Sequence, residues 1–338
     1  MMNHQRVRGA ALALTLGALA LGAEAATQVP GPLVDAEWLD QNREKVVILD
    51  VRKDTKSFSE RPKRIKASPI ALNSCGAKKD KGGDVAGHIP GATLVPWGPL
   101  RAERTVDGVK VIKLVPEKAA FEKLMREAGV DNDDAVVIVT KGESSKDLTF
   151  GTRLYWTLKY FGHDNLALLD GGMKRWLIEG RRATADAGKP KTGNFTAKAE
   201  RRELLALDAD VEKAVEAKGE QLLDGRDPDY YLGLKQKDYV YAKGHITGAK
   251  NVPHPRLFDE GKNGLTFRDA QSLKVVMNAA GADPSQPTIT YCDSGHLSTG
   301  HWFVLHELLG NKQARLYDGS MHQWTKNKSH AVTAMQAE

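Results

Sequence analysis

The segment Leu166–Trp176, which reads LALLDGGMKRW, returns near the end of the chain at Ala314–Trp324 as ARLYDGSMHQW. Three more segment pairs recur in the same order: VVILDVR at 46–52 with QLLDGR at 221–226, GHIPGATLVP at 87–96 with GHITGAKNVP at 244–253, and AVVIVTKGESSKDLTFGTRLYWTL at 135–158 with TITYCDSGHLSTGHWFVL at 288–305. The members of a pair lie roughly 150 to 175 residues apart, a spacing that indicates two duplicated domains rather than a solenoid of short repeats.

The repeated segments alternate between strand and helix patterns. VVILD, AVVIVT and LALLD are short apolar runs, which is typical of parallel strands that are covered on both faces. Between them, Lys118–Ala128 and Ser272–Ala280 have helical periodicity. We therefore predict an α/β fold in which each domain is a mainly parallel sheet flanked by helices. In such sheets, functional sites form where loops leave the carboxyl ends of the strands.

The chain begins with the features of a secretory signal peptide. Arg6 and Arg8 precede the apolar run Ala10–Gly22, and a small-x-small cleavage pattern follows at residues 23–25. The apolar run is shorter than the roughly 20 residues that a membrane span needs. We expect a signal peptide at 1–25, a periplasmic or secreted location, and no membrane attachment after cleavage. The mature chain is then divided into a first domain at 31–183, a polar linker at 184–200 and a second domain at 201–330.

Composition excludes several classes of function. The 338 residues include 49 Lys and Arg against 43 Asp and Glu, and the basic residues are spread along the chain. Because a phosphate-reading surface needs a concentrated basic face, nucleic acid is not an expected partner. Two cysteines are too few for a disulfide scaffold or a cysteine-based zinc site. We predict neither a metal nor a cofactor.

The predicted chemistry centres on Cys292, which ends the strand pattern of Thr288–Tyr291. The short loop 293–297 follows, and then a helix that we expect Ser298 or Thr299 to cap and that runs to about Leu309. Main-chain N–H groups at the start of a helix favour an anion, so they stabilise a thiolate or a persulfide. The alternative is a buried, inert cysteine. A cysteine phosphatase is disfavoured, because Ser298 stands where that class needs an arginine.

Taken together, these segments and the loop CDSGHL resemble the tandem-domain rhodaneses, the thiosulfate and mercaptopyruvate sulfurtransferase family, over about residues 31–327. The resemblance implies two tandem rhodanese-like domains with a catalytic cysteine only in the second, where Lys141 takes the matching position in the first. It implies that Cys292 accepts a sulfane sulfur from a small donor and passes it to a thiol or a cyanide-like acceptor.

The resemblance also assigns candidate roles to the residues around Cys292. The loop amides would hold the terminal sulfur, and these belong to Asp293, Ser294, Gly295, His296, Leu297 and Ser298. Asp224 and Arg226 are expected to pair at the end of their strand and to support the loop. The side chain of His296 is a candidate hydrogen-bond donor to the sulfur or to the substrate.

Three departures from the family pattern predict an unusual donor or weak activity. Tyr230 replaces an arginine that holds the anionic donor in these enzymes, so it is our candidate substrate-binding residue there. Asp293 stands where the thiosulfate enzymes have basic residues, and its carboxylate would repel anionic donors. Ser294 matches the mercaptopyruvate-type loop, but the histidine-containing segment of those enzymes has no counterpart in Thr93–Pro116.

Two other functions remain open at this level. One is a catalytically silent binding protein of the periplasm that keeps the fold and presents the insertion at Lys53–Asp84 to a partner. The other is a thiol–disulfide oxidoreductase that uses Cys292 with Cys75, which lies in that insertion. His301 and His306 are five residues apart and so do not share a helix face, which argues against a metal site. His88 and His245 are expected to hold their turns.

Overall fold

The computed structural model of the chain describes residues 27–63, 65, 85–217 and 219–335. The predicted signal peptide, Cys75 and most of the Lys53–Asp84 insertion lie outside these residues. Within the described part, no helix is both long enough and apolar enough to cross a membrane.

Strands and helices alternate through the first half of the chain, as the apolar pattern predicts. In chain order its elements are β1 (Leu33–Val34), α1 (Ala36–Asn42), β2 (Val47–Arg52), β3 (Thr93–Pro96), β4 (Ala102–Val106), β5 (Val109–Leu114), α2 (Lys118–Glu127), β6 (Val136–Val139), α3 (Ser145–Tyr160), β7 (Leu166–Leu169) and α4 (Gly172–Ile178).

The second half repeats this series, with shorter helices. In chain order its elements are β8 (Leu205–Ala206), α5 (Asp208–Ala217), β9 (Gln221–Asp224), α6 (Pro228–Tyr231), β10 (His245–Ile246), β11 (Lys250–Asn251), β12 (Phe258–Gly261), β13 (Gly264–Phe267), α7 (Ala270–Ala279), β14 (Thr288–Tyr291), α8 (Ser298–Phe303), β15 (Ala314–Tyr317), α9 (Ser320–Trp324) and β16 (Val332–Thr333).

The two halves build the same five-stranded sheet. The first has the order β1-β7-β6-β2-β3, and the second has the equivalent order β8-β15-β14-β9-β11. All neighbours in both sheets are parallel. The central strands β6 and β14 are buried at every residue, because helices cover both faces of each sheet. The predicted α/β class with two mainly parallel sheets is confirmed.

Each half sends a β-hairpin onto the other half. The hairpin β4–β5 of the first half donates the amide of Val115 to the carboxylate of Asp318 at 2.6 Å, at the end of β15. The hairpin β12–β13 of the second half donates the amide of Phe267 to Asp170 at 3.0 Å, at the end of β7. Asp170 and Asp318 are the equivalent aspartates of the repeated Asp-Gly segment. The hairpin exchange therefore places first-domain residues over the strand ends of the second sheet.

Helices α3 and α8 form the centre of the interface between the halves. Thr152 and Thr299 share a hydrogen bond of 2.7 Å, and the ring of Tyr155 packs edge-on against that of Phe303. Beside them, the fully buried Arg153 of α3 forms an ion pair with Asp318. One apolar cluster includes buried residues of both halves, so the halves share a core along the crevice where they meet.

The substitution Arg153→Met tests the importance of this ion pair. We expect it to lower the free energy of unfolding by about 3–5 kcal/mol, because it leaves the carboxylate of Asp318 buried without its cation. Urea denaturation followed by tryptophan fluorescence measures the loss. Arg202→Met is the control, because Arg202 pairs with Glu200 at 2.6 Å while its side chain is 65% exposed. That variant is expected to lose about 1 kcal/mol or less, and equal losses would contradict the account.

Candidate active site

Cys292 follows the fully buried strand β14, where the loop to α8 begins. Its Sγ accepts a hydrogen bond from the amide of His296 at 3.2 Å, and the hydroxyl of Ser298 donates to it at 3.5 Å. These two donors point at the Sγ atom, where a thiolate carries its charge, so the loop stabilises a thiolate on Cys292.

Ser298 does not cap the helix, which corrects the sequence-based expectation for this loop. Leu297 is the N-cap residue of α8, and no side chain makes the capping hydrogen bond. The hydroxyl of Ser298 faces Cys292, whereas Thr299 donates back to the carbonyl of His296 at 2.7 Å. The helix then continues from Val304 to Leu308 with π-helical hydrogen bonding.

Ser320 holds the Cys292 loop in place through its hydroxyl. The sequence analysis did not identify this residue. Its Oγ accepts hydrogen bonds from the amides of Cys292 and Gly295, each at 3.0 Å. Ser320 adopts a φ of 51°, and the equivalent residue of the first copy is Gly172 at 59°. This backbone conformation strains a residue that has a side chain. The two hydrogen bonds that the Ser320 hydroxyl accepts offset that strain. In the sequence, the replacement of Gly172 of the first copy by Ser320 in the second could have identified this residue.

Arg153 reaches the same loop from the first domain. Its Nη1 donates to the carbonyl of Gly295 at 2.7 Å, in addition to the ion pair with Asp318. At Gly295 the φ is 62°, and a Cβ atom there would collide with Asp318. The loop is thus clamped between a hydroxyl of its own domain and a guanidinium of the other.

Asp224 and Arg226 lie as the sequence analysis expected, in a buried ion pair. The Nη2 of Arg226 is 2.6 Å from the carboxylate of Asp224, and it also donates to the carbonyl of Gly244 at 2.8 Å. The Nη1 of Arg226 lies 3.3 Å from the carboxylate of Asp293. Burial raises the pKa of Asp293, although attraction to Arg226 opposes the rise. The carboxylate next to Cys292 is therefore compensated, and it repels an anionic donor less than its position in the sequence suggests.

The ring of His296 is packed into the interface between the domains, and the side chain makes no hydrogen bond with the sulfur. The ring stacks on Phe150 with centroids 4.8 Å apart, and its Nε2 lies 3.0 Å from the hydroxyl of Thr149. Burial holds the pKa of His296 well below its usual value, so the imidazole is neutral. The contribution of His296 to the sulfur is its main-chain N–H.

Tyr230 lies in α6 with a lysine beside it. The Nζ of Lys237 donates to the hydroxyl of Tyr230 at 2.9 Å and lies 4.6 Å from the ring centroid. Ser294, the residue shared with the mercaptopyruvate-type loop, lies beside the hydroxyl of Tyr239, and burial raises the pKa of Tyr239 to about 12. This tyrosine is therefore protonated at neutral pH and has a proton to donate at the crevice.

Basic residues approach Cys292 from the first domain, where the sequence pattern gave no indication of them. The guanidinium of Arg101 packs over the ring of Trp97 at 4.3 Å. The Nζ of Lys113 lies 3.1 Å from the ring centroid of Tyr239. Burial lowers the pKa of Arg101 to about 10 and the pKa of Lys113 to about 8. Both side chains remain cationic at neutral pH.

The matching loop of the first domain has a different occupant. The amides of Gly142 and Glu143 donate to the carboxylate of Asp147 at 2.5 and 3.3 Å. Lys141, at the position of the cysteine, pairs with Glu143 at 2.9 Å. The first loop thus fills its own anion position with a carboxylate, and it has no nucleophilic sulfur.

The remaining histidines hold main chain in place. The Nδ1 atoms of His88 and His245 lie 2.7 and 2.8 Å from the carbonyls of Phe58 and Tyr231, which agrees with the structural role expected for both turns. His301 contacts the carbonyl of Val252 at 2.7 Å and His306 pairs with Glu307, so they point to different partners.

Access to the sulfur is restricted in this conformation. Cys292 is 2% exposed, and Asp293, Ser294, His296 and Ser298 around it are also buried. Cys292 is therefore nearly covered by the residues of its own loop.

Comparison with known proteins gives one family and a consistent group of relatives. The model of the rhodanese-like domain family matches residues 35–179 and 207–327. A protein of Saccharopolyspora erythraea that is assigned as a thiosulfate sulfurtransferase is 31% identical over 303 residues, which cover 87% of this chain and 92% of the relative.

Two solved structures show the same fold at lower identity. SseA of Escherichia coli, described with the rhodanese fold and the mechanism of 3-mercaptopyruvate sulfotransferases, has a TM-score of 0.66 at 23% identity, covering 86% of this chain and 98% of SseA. The anaerobic ergothioneine biosynthesis enzyme of Chlorobium limicola, solved with trimethyl histidine, has a TM-score of 0.71 at 18% identity, covering 90% of this chain and 71% of that one.

The substitutions Ser320→Gly and Ser320→Ala test the support of the loop. Both remove the hydroxyl that holds the amides of Cys292 and Gly295, and we expect each to slow reaction of Cys292 with a sulfur donor about tenfold, the loss of roughly one hydrogen-bonded contact. Ser320→Gly relieves the backbone strain and is expected to be about 1 kcal/mol more stable than Ser320→Ala. Donor-dependent loading and thermal denaturation measure the two effects. Unchanged loading in both variants would show that the hydroxyl has no positioning role.

Proposed function

We propose that this chain, which belongs to the rhodanese-like family and is a sulfurtransferase, transfers a sulfane sulfur through a persulfide on Cys292. The donor is a small thiosulfate-like or mercaptopyruvate-like anion, and the acceptor is a thiol or a cyanide-like nucleophile. The observation that carries the proposal is the sulfur of Cys292 at the end of β14, with an amide and a hydroxyl directed at it.

In the first half-reaction, the thiolate of Cys292 attacks the outer sulfur of the donor. A new S–S bond forms on the protein, and the bond between that sulfur and the rest of the donor breaks. With thiosulfate, sulfite leaves with the bonding electron pair. With a mercaptopyruvate-like donor, the carbon–sulfur bond breaks, and the carbon fragment leaves as an enolate that takes up a proton.

In the second half-reaction, the acceptor attacks the terminal sulfur of the persulfide. The acceptor–sulfur bond forms as the S–S bond on Cys292 breaks, and the cysteine leaves as a thiolate. A thiol acceptor becomes a persulfide, and a cyanide-like acceptor becomes a thiocyanate. Because a covalent intermediate separates the two steps, the kinetics are ping-pong. The donors from His296 and Ser298 point at Sγ, so they stabilise the thiolate that attacks in the first step and leaves in the second.

The 2% exposure of Cys292 favours one competing function, that of a catalytically silent binding protein with the rhodanese fold. Under that alternative the covered sulfur does not react with any donor. The thiol–disulfide alternative depends on Cys75, which lies outside the described residues. Under that alternative, replacement of Cys75 would change the reaction of Cys292.

Mass spectrometry of the intact protein tests the sulfur-transfer proposal. After incubation with thiosulfate, 3-mercaptopyruvate or polysulfide, we expect the wild type to gain the mass of one sulfur atom and Cys292→Ser to gain none. Cys75→Ser is the matched control and is expected to gain the sulfur as the wild type does. If no donor adds sulfur to the wild type, the binding-protein alternative replaces the proposal. Loss of the added sulfur in Cys75→Ser would instead support the alternative in which both cysteines act.

The leader sequence supports the further proposal that the mature enzyme acts in the periplasm or is secreted. Expression of the full chain in a bacterium is expected to yield an exported protein whose first residue is Ala26, because the small-x-small pattern ends at Ala25. N-terminal sequencing of the periplasmic and cytoplasmic fractions measures this. A full-length protein confined to the cytoplasm would contradict the proposed location.

A further inference from the structure

We propose that Arg101, which the first domain contributes, is the residue that binds the anionic group of the sulfur donor at Cys292. Its guanidinium would receive the sulfonate end of a thiosulfate-like donor or the carboxylate of a mercaptopyruvate-like one. This inference rests on the proposed sulfur-transfer function, and it assigns the anion binding to the domain that lacks the cysteine.

Three arginines lie around the Cys292 loop, and two of them are engaged with protein groups. Arg153 forms its ion pair with Asp318 and donates to Gly295. Arg226 forms its ion pair with Asp224 and also contacts Asp293 and Gly244. These arginines hold the loop in shape. The Nε of Arg153 has no hydrogen-bond partner among the described residues, but both of its Nη groups are held by Asp318 and Gly295.

Arg101 differs from both in its packing, because its guanidinium lies over the ring of Trp97 and forms no ion pair with a carboxylate of the described residues. Its Nε is buried and has no hydrogen-bond partner among the residues that the structure describes. Buried polar atoms in proteins are nearly always hydrogen-bonded, so a buried guanidinium donor of this kind is expected to have a partner from outside the chain. A planar guanidinium matches the geometry of a carboxylate or a sulfonate, which accept two parallel hydrogen bonds.

The packing of Arg101 connects it with the loop of the reactive cysteine. The guanidinium lies over the ring of Trp97 at 4.3 Å, and the same ring packs against that of His296 at 4.6 Å. His296 in turn donates its amide to the Sγ of Cys292. Arg101 thus packs on a stack of two rings, those of Trp97 and His296, that ends at the cysteine loop. Attraction to Cys292 opposes the lowering of the pKa of Arg101 by burial.

Lys113 adds a second positive charge from the same hairpin. It has a φ of 67°, which is rare for a residue with a side chain, and its Nζ lies 3.1 Å from the ring centroid of Tyr239. The carboxylates on this side, those of Asp318 and Asp293, are each paired with an arginine. Asp238 offsets part of the charge of Lys113, whereas Arg101 forms no ion pair with a described carboxylate, so this side of the site favours a small anion.

The first arm of the test measures sulfur transfer with donors of different charge. We expect Arg101→Gln to lower kcat/KM about 10- to 100-fold with thiosulfate and with 3-mercaptopyruvate, the range for loss of a charge-assisted hydrogen bond. Transfer from ethyl hydropersulfide, a donor that has no sulfonate or carboxylate and is attacked in its neutral form, is expected to be unchanged. Its outer sulfur bonds to Cys292 as its own S–S bond breaks and ethanethiolate leaves. Arg101→Lys, which keeps the charge without the planar fork, is expected to recover part of the loss. Arg104→Gln is the control, because Arg104 pairs with Glu117 at 2.7 Å, and it is expected to match the wild type.

The second arm measures anion binding without turnover. In the Cys292→Ser protein, calorimetry with thiosulfate is expected to give a Kd that Arg101→Gln raises about tenfold or more. An unchanged Kd, or an equal loss of transfer from the anionic and neutral donors, would overturn the role of Arg101. If no donor delivers sulfur to the wild type, the proposed function fails, while the calorimetry still decides whether Arg101 binds an anion.

Discussion

The buried ion pair between Arg153 and Asp318 connects the parts of this molecule on which the active site depends. Asp318 ends a strand of the second sheet and accepts the amide of Val115 from the hairpin of the first domain. Arg153 extends from the first domain to the carbonyl of Gly295 in the cysteine loop. One pair of charges thus joins the interface, the exchanged hairpin and the loop, and neither charge is stable in this place without the other.

Duplication explains how one of two similar loops becomes reactive. Both domains have the same strand order, and both form a loop with amides that favour an anion. In the first domain the carboxylate of Asp147 takes that position, whereas in the second the sulfur of Cys292 does. The first domain retains a different role, because it supplies Arg153, Arg101 and Lys113 to the crevice.

The fold, the cysteine loop and the pairing of Asp224 with Arg226 were accessible from sequence because each depends on residues that are near one another in the chain or repeated in it. Arg101 and Arg153 were not, since they are about 140 to 190 residues from the loop in the chain and come near it only through the packing of the two domains. The expected cap at Ser298 was wrong because its hydroxyl turns to the sulfur instead. Ser320 was detectable in principle as the serine that replaces Gly172 of the first copy.

Sulfur transfer requires that the nearly covered Cys292 reacts with a small donor and retains one sulfur atom from it. Release of the donor's co-product in the absence of any acceptor measures this most directly, as sulfite from thiosulfate or pyruvate from 3-mercaptopyruvate. The account predicts a single rapid release of about one co-product per chain, after which the reaction stops, because Cys292 is then occupied. No release from either donor, or continued release without an acceptor, would contradict it.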